Sequence, residues 1–398
     1  MATLSSKMLP AGVATLAQGA RADTSVQPND SPAFDGLTVN GNAYPSAGAL
    51  SNRNLIINGA MTVSQRGNSF PGLTGASQTY TTDRWYAISA GAPTGVFTIT
   101  KDTDAPDGFA SSLKWNCTTA DVTLGAADYV ATQYRIEGQD LQHLNYGSPA
   151  ALETTLSFWV KSNKTGSYAV WVFAPDGTRQ YQIPYTIDVA NTWEQKTGVI
   201  PADTSGTINN DTGSGLLLSF GLGAGTNFTS GTAPTAWEAN LAADNYAGTT
   251  VNLADTIGNT WLLTGVQLEI GAVATPFEHR SFGQELALCQ RYYQDLCGGA
   301  VSIVAIMNVA YYTTTGCFGS VTLPVEMRAA PTGFVPDQTV FKVFAGGANN
   351  STSAVAVGVA SSRKSVELTF TTAARTVGDG GWVRTDTTAA SIRLDAEL

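Results

Sequence analysis

Three groups of residues carry side chains suited to binding chemistry. Asp83-Arg84-Trp85 sets a carboxylate beside a guanidinium beside an indole. Carboxylates bond sugar hydroxyls, and indoles stack on sugar C–H faces. Polar residues flanking a core aromatic are also common in sandwiches, so the expectation for this triplet is that Asp83 and Arg84 pair or cap a loop while Trp85 enters the core. Trp159 is the second group. Ser157 and Lys161 share its face of a strand, opposite Leu156, Phe158 and Val160, so it points away from that core. An outward tryptophan is a sugar platform or part of an interface with a sister chain. Trp171 and Phe173 pose the same choice. The third group is Gln133, Arg135 and Glu137, a polar row opposite Val130, Tyr134 and Ile136. Such a row reads glycan hydroxyls or forms a solvated or inter-subunit face. The candidate ligand-binding set is therefore Trp159, Asp83, Arg84, Arg135 and Glu137.

Catalytic chemistry is poorly supplied. Cutting a glycoside needs two carboxylates roughly 5–10 Å apart, and although Asp and Glu total 31, no spacing singles out a pair. Neither a Gly-x-Ser-x-Gly elbow nor a phosphate-cradling loop is present. No catalytic residue is assigned, and the chain is expected not to be an enzyme. The two histidines, His143 and His279, and the four cysteines, Cys117, Cys289, Cys297 and Cys317, fit no zinc template. No metal site or cofactor is expected. Cys117 alternates with Leu113 and Trp115 and reads as a core residue. A Cys289–Cys297 bridge is conceivable, but buried reduced thiols are the expectation.

Charged residues make up only 13% of the 398, and the net charge is −10 with no basic run, which excludes a nucleic-acid partner. No stretch of about 18 apolar residues appears, so membrane insertion is not expected. Nor does the start of the chain read as a secretory signal, so release within a particle is the expected way out of a cell.

The elements that must position these residues are strands. Gly, Thr, Ala, Ser and Asn are abundant, and period-two alternation recurs from residue 54 to 280, punctuated by turns such as Pro175-Asp-Gly177. This predicts an all-β chain with a jelly-roll sandwich over 51–280. Its first segment, beginning Asn54-Leu-Ile-Ile-Asn-Gly59, and its last, Trp261 to Gly271, are expected to pair, with Leu262, Val266, Leu268 and Ile270 on one face. Residues 202–255, rich in Thr, Gly and Asn, are expected as surface loop. Ser281-Phe-Gly-Gln284 has capping-box spacing, and Phe282, Leu286, Cys289 and Tyr293 form a stripe. A linker helix over 281–299, ended by Gly298-Gly299 and with that stripe buried, is the expectation. Alternation in Val366-Glu-Leu368-Thr-Phe370 and Ile392–Leu398 predicts a second, smaller β-sandwich over 300–398. Residues 1–50 read as an extended N-terminal arm, with one strand in Phe34–Gly41 ending in an Asn-Gly turn.

The series Asn54-Leu-Ile-Ile-Asn-Gly59, Ser64-Gln-Arg-Gly67, Asp83-Arg-Trp85, Gly265-Val-Gln-Leu-Glu-Ile-Gly271 and Pro276-Phe-Glu278 resembles a family of tailed-bacteriophage virion proteins, mainly tail fibres and related appendages. Cys289-Gln-Arg-Tyr-Tyr293, Leu323-Pro-Val-Glu-Met-Arg-Ala-Ala-Pro331 and the ending Asp395-Ala-Glu-Leu398 are similar to that family too. The first domain is also similar in layout to jelly-roll carbohydrate-binding modules. Those close with Asp-Asp-Val where this chain has Thr264-Gly265-Val266, so the calcium that region often helps to hold is not expected. The resemblance implies a virion location and a homotrimer docked to other virion proteins by the 1–50 arm. It further implies a glycan-binding-like sandwich for host attachment and a distal tip at 300–398. A capsid-decorating or purely architectural virion protein, and a glycan-degrading tailspike, are the other readings. A tailspike of that kind usually carries a long parallel β-helix, and no such repeat is visible.

Overall fold

Strict alternation becomes two antiparallel sheets packed face to face. The computed structural model describes residues 52–298, 304–386 and 390–398, plus the strands β1 (Leu37–Val39) and β2 (Asn42–Tyr44). These two strands pair antiparallel, with Val39 opposite Asn42, where one strand was expected; the Asn-Gly turn expected at 40–41 lies outside the described residues. The rest of the 1–50 arm lies outside the described residues. The sandwich contains β3 (Ser69–Leu73), β4 (Ser77–Tyr80), β5 (Tyr86–Ala90), β6 (Val96–Asp102), β7 (Ser112–Thr119), β8 (Tyr129–Glu137) and β9 (Thr154–Ser162). It continues with β10 (Gly166–Ala174), β11 (Arg179–Ile187), β12 (Glu194–Ile200), β13 (Ser214–Ala224), β14 (Glu238–Ala239) and β15 (Thr260–Ile270). One sheet has the order β12-β9-β15-β7-β6-β3, and the other β14-β11-β10-β13-β8-β5-β4. The chain passes repeatedly from one sheet to the other, as in a jelly roll.

Leu156, Phe158 and Val160 are fully buried, and the Phe158 ring meets Tyr185 at 5.1 Å and Phe220 at 5.2 Å, both edge-on. Each such side chain contributes roughly 1.5–3 kcal/mol by leaving water. Cys117 is buried beside Trp115 and Leu113, and all four cysteines are free thiols.

Three expectations are corrected. The opening segment forms no strand: Leu55 N–H donates to Leu268 C=O (2.9 Å), and the Asn54 amide accepts from Leu268 N–H (3.1 Å) and donates to Val266 C=O (3.2 Å). The two ends of the sandwich are adjacent through these stitches rather than a ladder. In β15, a bulge between Thr264 and Gln267 resets the alternation. Trp261 and Leu263 enter the core before it and Val266 and Leu268 after it, while Leu262 turns to the other face. Gly265 takes φ +60° there. Residues 202–255 are not all loop, because β13 lies mid-sheet between β10 and β8 and buries Leu216, Leu218, Phe220 and Leu222. Its glycines face closely packed neighbours; a Cβ on Gly221 would sit 2.6 Å from the Tyr246 ring.

The second domain contains β16 (Tyr293–Asp295), β17 (Ala305–Tyr311), β18 (Gly316–Thr322), β19 (Thr332–Phe334) and β20 (Phe341–Ala345). It is completed by β21 (Ala348–Ser351), β22 (Ala354–Val357), β23 (Ser365–Thr371), β24 (Gly380–Thr385) and β25 (Arg393–Asp395). Seven strands in the order β21-β20-β24-β17-β18-β23-β22 face three in the order β16-β25-β19. Val366, Leu368 and Phe370 point inward, as do Ile392, Leu394 and Ala396. Between the domains a helix spans Phe282–Gln290, started by the expected capping box of Ser281 and Gln284. It ends well before Gly298, because Tyr293 belongs to β16, and Phe282 is 61% exposed. The expected stripe is therefore only partly buried. The face that is buried carries Cys289 and Glu285, whose carboxylate accepts the Asn58 N–H and pairs with Arg280 at 3.5 Å.

Candidate functional site

The motif residues converge on a seam between the two domains. Arg84, in the loop before β5, is completely buried. It forms an ion pair with Glu397, donates to Arg135 C=O at 2.6 Å and lies 3.4 Å from the Tyr292 ring centroid. Burial alone would lower its pKa, but Glu397, with Tyr134 and Tyr292, holds the guanidinium above its ordinary value. Arg66 repeats the pattern one layer out, pairing with Asp395 (3.1 Å) and Glu397 (3.2 Å) and stacking 3.6 Å from the Tyr293 ring. Asp83 accepts from the Gln65 backbone (2.8 Å) and side-chain amide (2.5 Å); burial pushes its carboxyl up.

Glu137 accepts a bidentate pair from Arg291 at 2.7 and 2.8 Å. Burial opposes ionisation there, yet the arginine's hydrogen bonds hold the carboxyl below its usual range. Arg328 donates to the carbonyls of Ala396 (2.7 Å), Glu397 (2.7 Å) and Thr212 (2.9 Å). Tyr80 (2.7 Å) and Arg135 (2.8 Å) both donate to Leu398. Four of the five candidate residues thus come together, and Asp83, Arg84 and Glu137 are buried against protein partners, with Arg84 Nε left without a hydrogen bond. Arg135 is half-buried. Trp85 is in the core, its indole N–H on Asn58 C=O at 3.1 Å.

At the outer edge of the seam a cleft of about 840 Å³ opens between β3 and β4, edge strands of the two sandwich sheets, and strands β19 and β25. Phe70, Tyr80 and Tyr86 line the sandwich wall, and Phe334, 61% exposed, lines the other. The Tyr80 and Tyr86 rings lie 4.9 Å apart and tilted by 56°. Tyr86 Oη donates to the Gln78 amide oxygen, and the Gln78 amide nitrogen has no partner among the described residues. Arg393 and Asp395 complete the wall. Asp395 is the one carboxylate among the described lining residues, and neither histidine is present. Size and lining suit a small ligand with apolar faces and hydroxyl edges. The sequence did not mark Phe70, Tyr86, Phe334 or Arg393, because the cleft exists only once two domains dock.

Trp159 lies apart, on the outward face of the six-stranded sheet between Gln195 and Thr264 in register. It is half-buried beside Phe109. Both rings close over Gly265, where a Cβ would lie 2.7 Å from Phe109 and 2.9 Å from Trp159. The Trp159 indole nitrogen has no hydrogen-bond partner among the described residues. Trp171 and Phe173 stack at 5.0 Å on the other sheet's outward face, with Trp171 donating to Gln180 at 3.2 Å. Among the described residues no cluster of three or more His, Cys, Asp or Glu is arranged to hold a metal ion, and no helix is long and apolar enough to cross a membrane.

No family model matches the chain, and no curated protein is similar to it in sequence. Among solved structures, the enzymatically active domain of bacteriophage CBA120 tailspike protein 4 is similar at 16% identity and a TM-score of 0.30. That match covers 57% of this chain and 24% of the tailspike structure, so this chain spans about a quarter of it. A family 11 carbohydrate-binding module of a Clostridium thermocellum cellulase is similar at 13% identity and a TM-score of 0.26, over 53% of this chain and 98% of the module. A xylan-binding domain from Paenibacillus barcinonensis is similar at 17% identity and a TM-score of 0.25, over 47% and 91%. Similarity at this level does not bear on what the chain binds.

Proposed function

We propose that this chain is a non-enzymatic structural protein of a tailed-phage particle, one subunit of a trimeric tail fibre that attaches to the host surface by holding a glycan. The observation that carries this reading is the interdomain cleft, where aromatic rings face amide, guanidinium and hydroxyl groups across a space of saccharide size. Rings stack on sugar C–H faces, and the polar groups bond the hydroxyls. Asp395 is the one carboxylate among the described lining residues, which speaks against hydrolysis, a reaction that needs two. The virion role is supported by the motifs that resemble phage appendage proteins, since their side chains build the seam on which the cleft depends. Trp159, outside the cleft, is assigned to contact with a sister chain, and three weak sites on one trimer gain avidity.

The test is binding of purified full-length protein to host surface polysaccharide, with Phe334→Ala as the control. Binding that Phe334→Ala weakens, with no new reducing ends, supports the reading. Reducing ends released at a catalytic rate overturn the non-enzymatic part. Light scattering at micromolar concentration tests the trimer, and imaging of particles tests the attachment.

A further inference from the structure

We infer that the cleft selects a sugar bearing a carboxylate, and that Arg393 reads it. The inference rests on the cleft being a glycan site. Arg393 stands on β25, in register with Phe334 of β19 and Asp295 of β16. Its Nε donates to Ser391 Oγ at 3.0 Å, and Ser391 Oγ donates to Asp295 at 2.8 Å, so the guanidinium is oriented from behind. Its two Nη groups have no hydrogen-bond or ion-pair partner among the described residues, and the side chain is only half-buried.

The other lining cation differs. Arg66 is matched by Asp395 and Glu397, and Asp395 also accepts the Glu397 N–H at 3.0 Å. With Arg84 also on Glu397, these two cations and two carboxylates balance within the seam, which leaves Arg393 as the lining cation without a direct ion pair. In a chain of net charge −10, an open guanidinium beside an exposed aromatic ring is a selective feature. A guanidinium edge takes a carboxylate through two parallel hydrogen bonds, a geometry that a hydroxyl cannot match in strength. A uronic-acid residue stacked on Phe334 would present its carboxylate to Arg393, leaving its hydroxyls for the Gln78 amide on the facing wall.

The experiment is calorimetric titration of the full-length protein with a galacturonic acid trisaccharide and with the neutral galactose trisaccharide. Wild type, Arg393→Gln and Phe334→Ala are compared at neutral pH. Charge-assisted hydrogen bonds predict at least a ten-fold preference for the acidic sugar, roughly all of it lost in Arg393→Gln. Phe334→Ala weakens both sugars. Equal affinity for the two sugars, or an Arg393→Gln protein that keeps the preference, overturns the carboxylate inference while leaving the glycan cleft standing. Binding of neither sugar by wild type overturns the glycan reading of the cleft itself.

Discussion

The seam and the cleft lie side by side and share Arg66, Tyr80, Tyr293 and Asp395, yet they use charge in opposite ways. In the seam every guanidinium lies against a carboxylate, a carbonyl or a ring, and the central Arg84–Glu397 pair is buried. In the cleft Arg393 keeps its outer edge open, and Phe334 shows its face to solvent. Matched charge in a dry setting holds two domains in one relation, because breaking such a pair strands an ion. Unmatched charge at a wet edge is available to a ligand.

The contrast breaks most readily at Arg84. Arg84→Ala leaves Glu397 buried with one partner fewer and is expected to cost about 3–5 kcal/mol, read by chemical denaturation. An Arg84/Glu397 double-mutant cycle should return a coupling energy above about 1 kcal/mol; additive losses would mean the pair is incidental. Glu137→Gln is the next largest effect, about 1–3 kcal/mol at neutral pH. Because Arg291 depresses the folded-state value, the stabilisation by Glu137 is complete above the unfolded carboxyl range near about 4.3 and is lost as pH falls through the folded value. The variant's stability should therefore vary less with pH on the acid side than that of wild type. Asp83, raised by burial, contributes with the opposite sign, and Asp83→Asn separates the two. Arg393→Gln, on the cleft side of the comparison, should change stability by no more than about 0.5 kcal/mol. A larger loss would move Arg393 into the seam's class. Trp159→Ala should cost about 1 kcal/mol or less in the isolated chain, and its effect should appear in light scattering as a weaker trimer.

The sequence made the sheets legible wherever alternation was unbroken, as in Leu156–Val160 and Val366–Phe370. It misled where one backbone feature shifts the period, since the bulge at Gly265 exchanges which side chains of β15 face inward. It also misled where small residues mask a core strand, since the glycines of β13 serve close packing against Tyr246 and Ile208 and are not loop signals. Asp83 and Arg84 do not pair with each other: Asp83 meets Gln65 and Arg66, and Arg84 meets the distant Glu397. The cleft was not legible because Phe70 and Phe334 come to line one space only through docking, which no local spacing encodes. Most motif residues lie within the seam, and only Arg66, Tyr293 and Asp395 among them also reach the cleft, whereas Phe70, Tyr86, Phe334 and Arg393 belong to no motif.

The most direct test of that division is a parallel titration of host surface polysaccharide into wild type, Phe334→Ala and Trp159→Ala at equal protein concentration. The account predicts binding by wild type, a loss of ten-fold or more for Phe334→Ala, and an intrinsic affinity per chain unchanged for Trp159→Ala. Binding that survives Phe334→Ala and disappears with Trp159→Ala would contradict it, and would place recognition on the open face of the sheet instead of the cleft.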